Sequence, residues 1–214
     1  MAEQTGQAVN RLDRRKARTR AALVAAAQAF IASGKLNVAV LELTQAADVG
    51  LGSFYNHFES KDELFQAALA DALDRYGALL DELTAGLDDP AEVFAQSFRL
   101  TGRLHRKVPE LSKVLLNYGL ALARSDRGLG PWARRDIEAA IRAGRFSVRD
   151  PELAMVIVTG AVLCLGQFLH DHPERDDGEA TDEVTDNLLC MLGVADDEAH
   201  EISRRPLPNP DTLM

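Results

Sequence analysis

The run Ser53-Phe54-Tyr55-Asn56-His57-Phe58, with Lys61 three residues beyond, gathers groups suited to touching a polyanion. A tyrosine hydroxyl and an imidazole can donate to phosphate oxygens, and a lysine adds a charged contact. Contacts of that kind fix register and carry no base information. Asn56 lies among them, and its carboxamide can pair bidentately with an adenine edge. Phe54 and Phe58 are buried-type side chains and belong to a core. A metal or general-base role for His57 lacks support, because no cysteine, aspartate or second histidine stands at a useful spacing.

Those side chains need short, sharply joined elements to present them. Leu41–Lys61 reads as a short apolar helix, a tight turn, a second short helix and a new helix start. Leu43, Ala46 and Ala47 give the first helix an apolar face, and Val49-Gly50-Leu51-Gly52 breaks it. Gly50, Leu51, Gly52 and Ser53 face outward or lead into the second helix. There Leu51 can meet a thymine methyl, and Gly52 lets the backbone come close to DNA. Two helices joined this way form a helix-turn-helix, whose second helix can enter a major groove. Upstream, residues 11–20 hold six basic side chains against Asp13. Arg14, Arg15 and Arg18 are placed to reach phosphates or a minor groove. Leu23, Ala26, Ala27, Phe30 and Ile31 then follow at helical spacing, with Gly34 as the stop.

With these residues in view, positions 14–70 resemble the DNA-binding domain of a TetR/AcrR-type transcriptional regulator. The likeness rests on the basic start, on Ala25, Ala26, Phe30 and Gly34, and above all on AADVGLGSFYNHFESKDEL. The resemblance implies an all-α fold, in which a three-helix DNA-binding domain precedes a larger helical ligand-binding and dimerisation domain. It implies phosphate contacts for Tyr55, His57 and Lys61. It also implies a double-stranded operator as partner, a small-molecule effector and a homodimer. Three positions depart from the usual pattern: Ala39 where a capping threonine is common, Asp48 in place of a turn glycine, and Gly50 in place of a serine.

Charge is distributed to match. Residues 1–61 carry eight Lys/Arg against five Asp/Glu, and residues 62–214 carry sixteen against twenty-eight, giving the overall −9. A cationic head on an acidic body can hold DNA at one end and repel it elsewhere. At 46% hydrophobic and 27% charged, the composition is that of an ordinary globular protein. Cys164 and Cys190 read as buried thiols, no secretory leader is visible, and Ala154–Leu169 falls short of a membrane span. A cytoplasmic protein without membrane association is expected.

Downstream, Ser60 and Glu63 form a capping box opening a helix through about Leu87. Asp89-Pro90 and Asp150-Pro151 are N-cap and first-turn pairs, and Pro109 and Pro131 open two more helices. The expected spans are 90–107, 109–124, 131–143, 150–170 and 181–192. The expected domains are a disordered or basic arm (1–12), a helix-turn-helix domain (13–60), a helical body (61–200) and a disordered tail (201–214). The helices within 150–192 hold surplus apolar surface. That suits either a homodimer built as a four-helix bundle or the completion of a monomer core.

In the body, Phe94, Phe98, Leu115, Tyr118, Leu122, Trp132 and Met155 are candidates to line an effector pocket, since aromatic and methionine side chains suit an adaptable apolar cavity. His105, Arg103 and Asn117 are candidate polar groups for it. An enzyme reading fares poorly. There is no glycine-rich phosphate loop, nucleophile elbow or metal cluster, so no catalytic residue, metal or cofactor is expected. The expected function is a sequence-specific repressor released by a small, largely apolar ligand. The alternative is a ligand-responsive helical dimer acting as an activator or protein-binding adaptor.

Overall fold

A computed structural model describes residues 2–122 and 125–208, with side chains from residue 13 onward. Among the described residues there are ten helices and no strand: α1 (Ala2–Ala32), α2 (Val40–Ala46), α3 (Leu51–Tyr55), α4 (Lys61–Thr84), α5 (Pro90–Lys107), α6 (Pro109–Leu122), α7 (Leu129–Arg142), α8 (Pro151–Asp171), α9 (Asp177–Met191) and α10 (Asp196–Arg204). The chain divides into two units, Met1–Leu69 and Ala70–Met214. The division falls inside α4, not at its start. Leu64, Phe65, Ala68 and Leu69 are all buried in the first unit, so they belong to the head although they open the long helix.

The head closes around α1, α2, α3 and the first turns of α4. Leu23, Ala27, Leu43, Phe54, Phe58 and Leu64 are almost wholly removed from water. At roughly 25 cal/mol per Å² of apolar surface, burial of this kind is the main force holding such short helices in place. Gln28 Nε2 donates to the Ala68 carbonyl at 3.0 Å, tying α1 to α4. Residues 2–12, expected as an arm, continue the α1 backbone; no proline interrupts them and their Ala, Gln and Glu residues favour helix. The inward face of α2 also differs from expectation: Leu43 and Thr44 are buried, whereas Ala46 is exposed.

In the second unit α5 is the central element, packed against α6, α7, α8, α9 and α10. Its start follows the expected logic, with the Asp89 carboxylate accepting from the Ala91 amide at 2.9 Å. Asp150 does the same for α8, accepting from the Glu152 and Leu153 amides. The Arg99 guanidinium, nearly buried, donates to both Asp182 oxygens at 2.8 and 3.2 Å and to the Arg205 carbonyl at 2.7 Å. Arg103 joins the same carboxylate. Several boundaries move: α4 ends at Thr84 and not near Leu87, and α7 begins at Leu129, two residues ahead of the expected Pro131. α9 begins at Asp177 under an Asp176 cap, and the tail expected from residue 201 is still helix, with Ile202 and Ser203 buried. The stretch expected to be tail beyond Pro208 lies outside the described residues.

α8 runs over the span expected for it, Pro151–Asp171 against 150–170, and sets the apolar stretch Ala154–Leu169 in a longer helix. Among the described residues it is the one helix whose length and mean hydropathy, 1.9, would suffice to cross a membrane. One side buries Ala154, Met155, Val158, Leu165 and Leu169 in the body. The other exposes Leu153, Val156, Ile157 and Phe168, and with them Cys164, which was expected to be buried.

His105 is buried on α5 between α6 and α8. Its Nε2 lies 3.0 Å from the Val162 carbonyl, which can only accept, so Nε2 carries the proton. Nδ1 then accepts from the Ser112 hydroxyl at 2.6 Å, and that oxygen faces His170 Nε2 at 2.9 Å. Burial, outweighing the Val162 hydrogen bond, lowers the His105 pKa to about 4 from an ordinary 6.5. Between those values the unfolded chain binds more protons, so stability drains away as pH falls from about 6.5 towards 4. This one group accounts for about 3 kcal/mol across that window. Thermal melts of the wild type and His105→Gln should show a variant that is weaker at neutral pH, with a shallower loss on acidification. Parallel pH profiles would assign the acid sensitivity to other groups.

Candidate nucleic-acid interface and internal cavity

In the head, the expected contact residues differ in how far they reach solvent. Phe54 (0% exposed) and Phe58 (2%) pin the segment inward, leaving Tyr55 (60%) and Leu51 (48%) outside. Gly52 and Asn56 are also exposed, while Ser53, His57 and Lys61 are half-buried. Phe54 meets Tyr55 edge-on at 5.1 Å between centroids, which supports the ring without hiding its hydroxyl. α3 is shorter than expected. It ends at Tyr55, so Asn56 and His57 stand in the turn just past it, although the Phe58 amide still bonds the Phe54 carbonyl at 3.0 Å. Ser60 caps α4 by accepting from the Glu63 amide at 3.1 Å. The Glu63 carboxylate reaches back one residue further than expected, to the Glu59 amide at 2.6 Å.

The basic end of α1 belongs to the same surface. Arg15, Lys16 and Thr19 line an open groove of about 400 Å³ together with Ser53, Asn56 and His57. Arg14 and Arg18 are exposed on the same helix but do not line that groove. Lys16 and Thr19 were missed as site residues because only the fold brings this stretch of α1 to the groove shared with Ser53, Asn56 and His57. Arg20, by contrast, lies over the Phe58 ring at 5.1 Å, a cation–π contact that ties it to the core.

The three unusual positions have separate consequences. Ala39 has no side-chain acceptor, so only half of a capping box survives: the Glu42 carboxylate accepts from the Ala39 amide at 2.8 Å. Gly50 occupies the N-cap of α3 and likewise offers no side-chain cap. Asp48 closes α2 in a left-handed conformation, φ +53°. The Val49 amide bonds the Thr44 carbonyl and the Asp48 amide bonds the Gln45 carbonyl, the paired bonds of a Schellman end. The corresponding left-handed position is a glycine at the ends of α1, α7 and α9. Asp48 therefore holds a conformation that an L side chain adopts at a cost.

The body contains a partly open cavity of about 110 Å³. Six of the seven expected lining residues surround it: Phe94, Phe98, Leu115, Leu122, Trp132 and Met155. Tyr118 does not, since it lies half-buried on another face of α6. Nor do the expected polar groups. Arg103 is held by Asp182, His105 by Ser112 and Val162, and Asn117 is exposed. The polar wall comes instead from Ser97, Thr101, Thr159, Asp81, Arg135 and Asp136. Arg135 donates to both oxygens of Asp81, at 2.8 and 2.5 Å, and to Asp136 Oδ1 at 3.0 and 2.7 Å. Burial raises the Asp136 pKa, opposed by the hydrogen bond and charge of Arg135. The same guanidinium lies over the Trp132 ring at 5.0 Å. α4 contributes Leu73, Gly77, Leu80 and Asp81 to the cavity. Gly77 is needed for close approach, because a β-carbon there would sit 2.5 Å from Trp132 Nε1.

Comparison with known proteins covers both units. Residues 22–68 match the model of bacterial regulatory proteins of the tetR family, and residues 89–205 match the tetracyclin repressor-like C-terminal domain. The chain is 33% identical to RolR in its crystal structure with resorcinol, covering 92% of this chain and 98% of that one at a TM-score of 0.72. The ligand-free RolR structure gives the same identity and TM-score. A curated relative, the transcriptional repressor KstR2 of Mycolicibacterium smegmatis, is 32% identical over 87 residues. That match spans 39% of this chain and 42% of KstR2, less than half the relative's length. FadR of Bacillus subtilis, in complex with stearoyl-CoA, shares the fold at 16% identity and a TM-score of 0.57.

The α2 end gives a direct stability test. Asp48→Gly should relieve the left-handed strain and stabilise the head by about 0.5–1 kcal/mol, whereas Asp48→Val should destabilise it by more than that. Denaturant melts followed by helix signal would show it; equal midpoints for all three proteins would mean that the turn stores no strain.

Proposed function

The chain belongs to the tetR family of bacterial regulatory proteins, and from that premise we propose that it is a transcriptional repressor that binds operator DNA as a homodimer and is released by a small, largely apolar ligand. The observation that carries the DNA-binding half is the shared surface of α1 and α3. Buried Phe54 and Phe58 force Tyr55 outward, beside a groove lined by Arg15, Lys16 and Thr19. In this reading Tyr55, His57, Lys61, Arg14, Arg15 and Arg18 position the duplex through its phosphates. Leu51 and Asn56 read bases, and Gly50, Gly52 and Ser53 let the backbone approach.

Dimerisation is supported by the exposed stripe of α8. Leu153, Val156, Ile157 and Phe168 leave an apolar face uncovered, and Met191 at the end of α9 is also exposed. Covering such a face with a second copy through residues 150–192 would also set two heads on one two-fold operator. Such a regulator works in the cytoplasm, where the DNA is.

The ligand half rests on the cavity. RolR, with which this chain shares its fold over nearly its whole length, is seen with resorcinol bound. α4 supplies both the head residues Leu64, Phe65 and Leu69 and the cavity residues Leu73, Gly77 and Leu80. It is the element through which ligand occupancy would bias the head. A ligand shifts DNA affinity only by its unequal affinity for two conformations, and typical couplings of about 1–3 kcal/mol alter affinity several-fold to about a hundredfold.

Three measurements test this reading. Sedimentation at micromolar concentration should show no dominant monomer. In fluorescence anisotropy with the chain's own promoter region, Lys61→Ala should weaken binding on all sequences and lower the salt slope by roughly one unit per chain, while Asn56→Ala should alter sequence preference. An unchanged slope removes Lys61 from the interface. Titrating ligand into the protein–DNA complex should release DNA, and by reciprocity DNA should weaken ligand binding by the same factor. Independence of the two would end the allosteric account.

A further inference from the structure

α7 begins without the usual means of capping itself. Its N-cap is Gly128, left-handed at φ +80°, and its first turn holds no acidic residue. The residue that would reach back to the Gly128 amide in a capping box is Pro131, which has no side-chain acceptor. Asp74, on α4, takes that place. Its Oδ1 accepts from the Gly128 amide at 2.6 Å and its Oδ2 from Arg127 Nε at 2.7 Å, with Arg127 Nη2 2.5 Å away. Two further links join the same helices: the Trp132 indole against Gly77, and Arg135 on Asp81. Positions 74, 77 and 81 are spaced i, i+3, i+7, so one face of α4 addresses α7 from its cap into its second turn. The links at Gly77 and Asp81 belong to the cavity wall, whereas Asp74, Arg127 and Gly128 lie outside it. Asp74 also stands five residues beyond Leu69, where the head ends, about 7.5 Å along the helix axis.

We propose that Asp74 is the positioning residue through which α7 acts on α4, so that the state of the cavity reaches the head by way of the α7 cap. This rests on the reading of the chain as a ligand-released repressor and names the contact which that reading needs. A guest that displaces Trp132 moves α7, and Asp74, bound to both the cap amide and the Arg127 side chain, follows the N-terminus of α7. The ion pair is 42% and 34% exposed in its two side chains. A pair so open to water does little for stability, so its removal separates coupling from folding.

The test needs no effector, because linkage is reciprocal: if α7 signals to the head, DNA on the head must be felt at α7. Trp132 is the chain's one tryptophan, so its emission reports on α7 directly. Full-length protein is titrated with a labelled duplex from the chain's own promoter region, with anisotropy reading binding and tryptophan emission reading the body. The wild-type emission should change with the same midpoint as binding. Asp74→Ala should still bind DNA but lose most of that emission change. Arg127→Ala, which spares the cap bond, should lose part of it, and Arg127→Lys should restore it. A β-carbon at position 77 would sit 2.5 Å from Trp132 Nε1 and displace the indole as a guest does. Gly77→Ala should therefore weaken DNA binding by roughly fivefold or more, and Asp74→Ala should remove that effect. Should Asp74→Ala fail to fold, Arg127→Ala reads the same contact. A wild-type emission that ignores bound DNA would overturn the proposal. So would an undiminished change in Asp74→Ala and Arg127→Ala, or an equal effect of Gly77→Ala with and without Asp74. If the wild type binds no DNA, the repressor reading itself fails and this inference with it.

Discussion

The body is organised around one buried charge. Arg99 sits in the middle of α5 with its guanidinium out of water, and such a group is tolerable only when it is paired and hydrogen-bonded. Asp182 on α9 takes two of its bonds and the Arg205 carbonyl beyond α10 takes a third. Geometry this demanding fixes the register of α5 against α9 and the path of the chain end. The same helix turns Phe94, Phe98 and Thr101 towards the cavity. A hollow in a protein interior forfeits packing energy, so its wall needs support from elsewhere. The ionic clamp on one face of α5 holds that wall in place.

In the head, charge is sorted by position more than by number. Eight basic residues precede position 62, but their tasks differ. Arg15 and Lys16 line the groove beside α3, Arg14 and Arg18 are exposed elsewhere on α1, and Arg20 stacks on Phe58. The Arg20 cation thereby helps hold the core that pushes Tyr55 into solvent. Charge content alone would not separate a side chain lining the groove from one securing the scaffold.

The sequence was most legible where the signal was local. Asp89 and Asp150 cap the helices that their Asp-Pro pairs announce, and the phenylalanines four apart in FYNHF face inward. Gly34 ends α1 in the left-handed conformation that such a stop requires. Features built across long separations were not legible. Arg135 finds Asp81 from 54 residues away, and α4 gives no local sign that it lines a cavity. α10 escaped notice because Ala195 caps it without a side-chain acceptor and its exposed residues are mostly acidic, much like a solvated tail. Tyr118 misled for the opposite reason: its type suits a pocket, but its register on α6 turns it away.

The seat of Trp132 against Gly77 has a practical corollary. With no side chain beneath it, the indole rests on the α4 backbone, so ring size at position 132 acts as a gauge of cavity capacity. Exchanging that indole for smaller rings would open space in graded steps, at the cost of the face on which Arg135 rests. With the proposed effector seated there, one position would offer a route to a set of biosensors from a single scaffold, each tuned to a bulkier compound than the last.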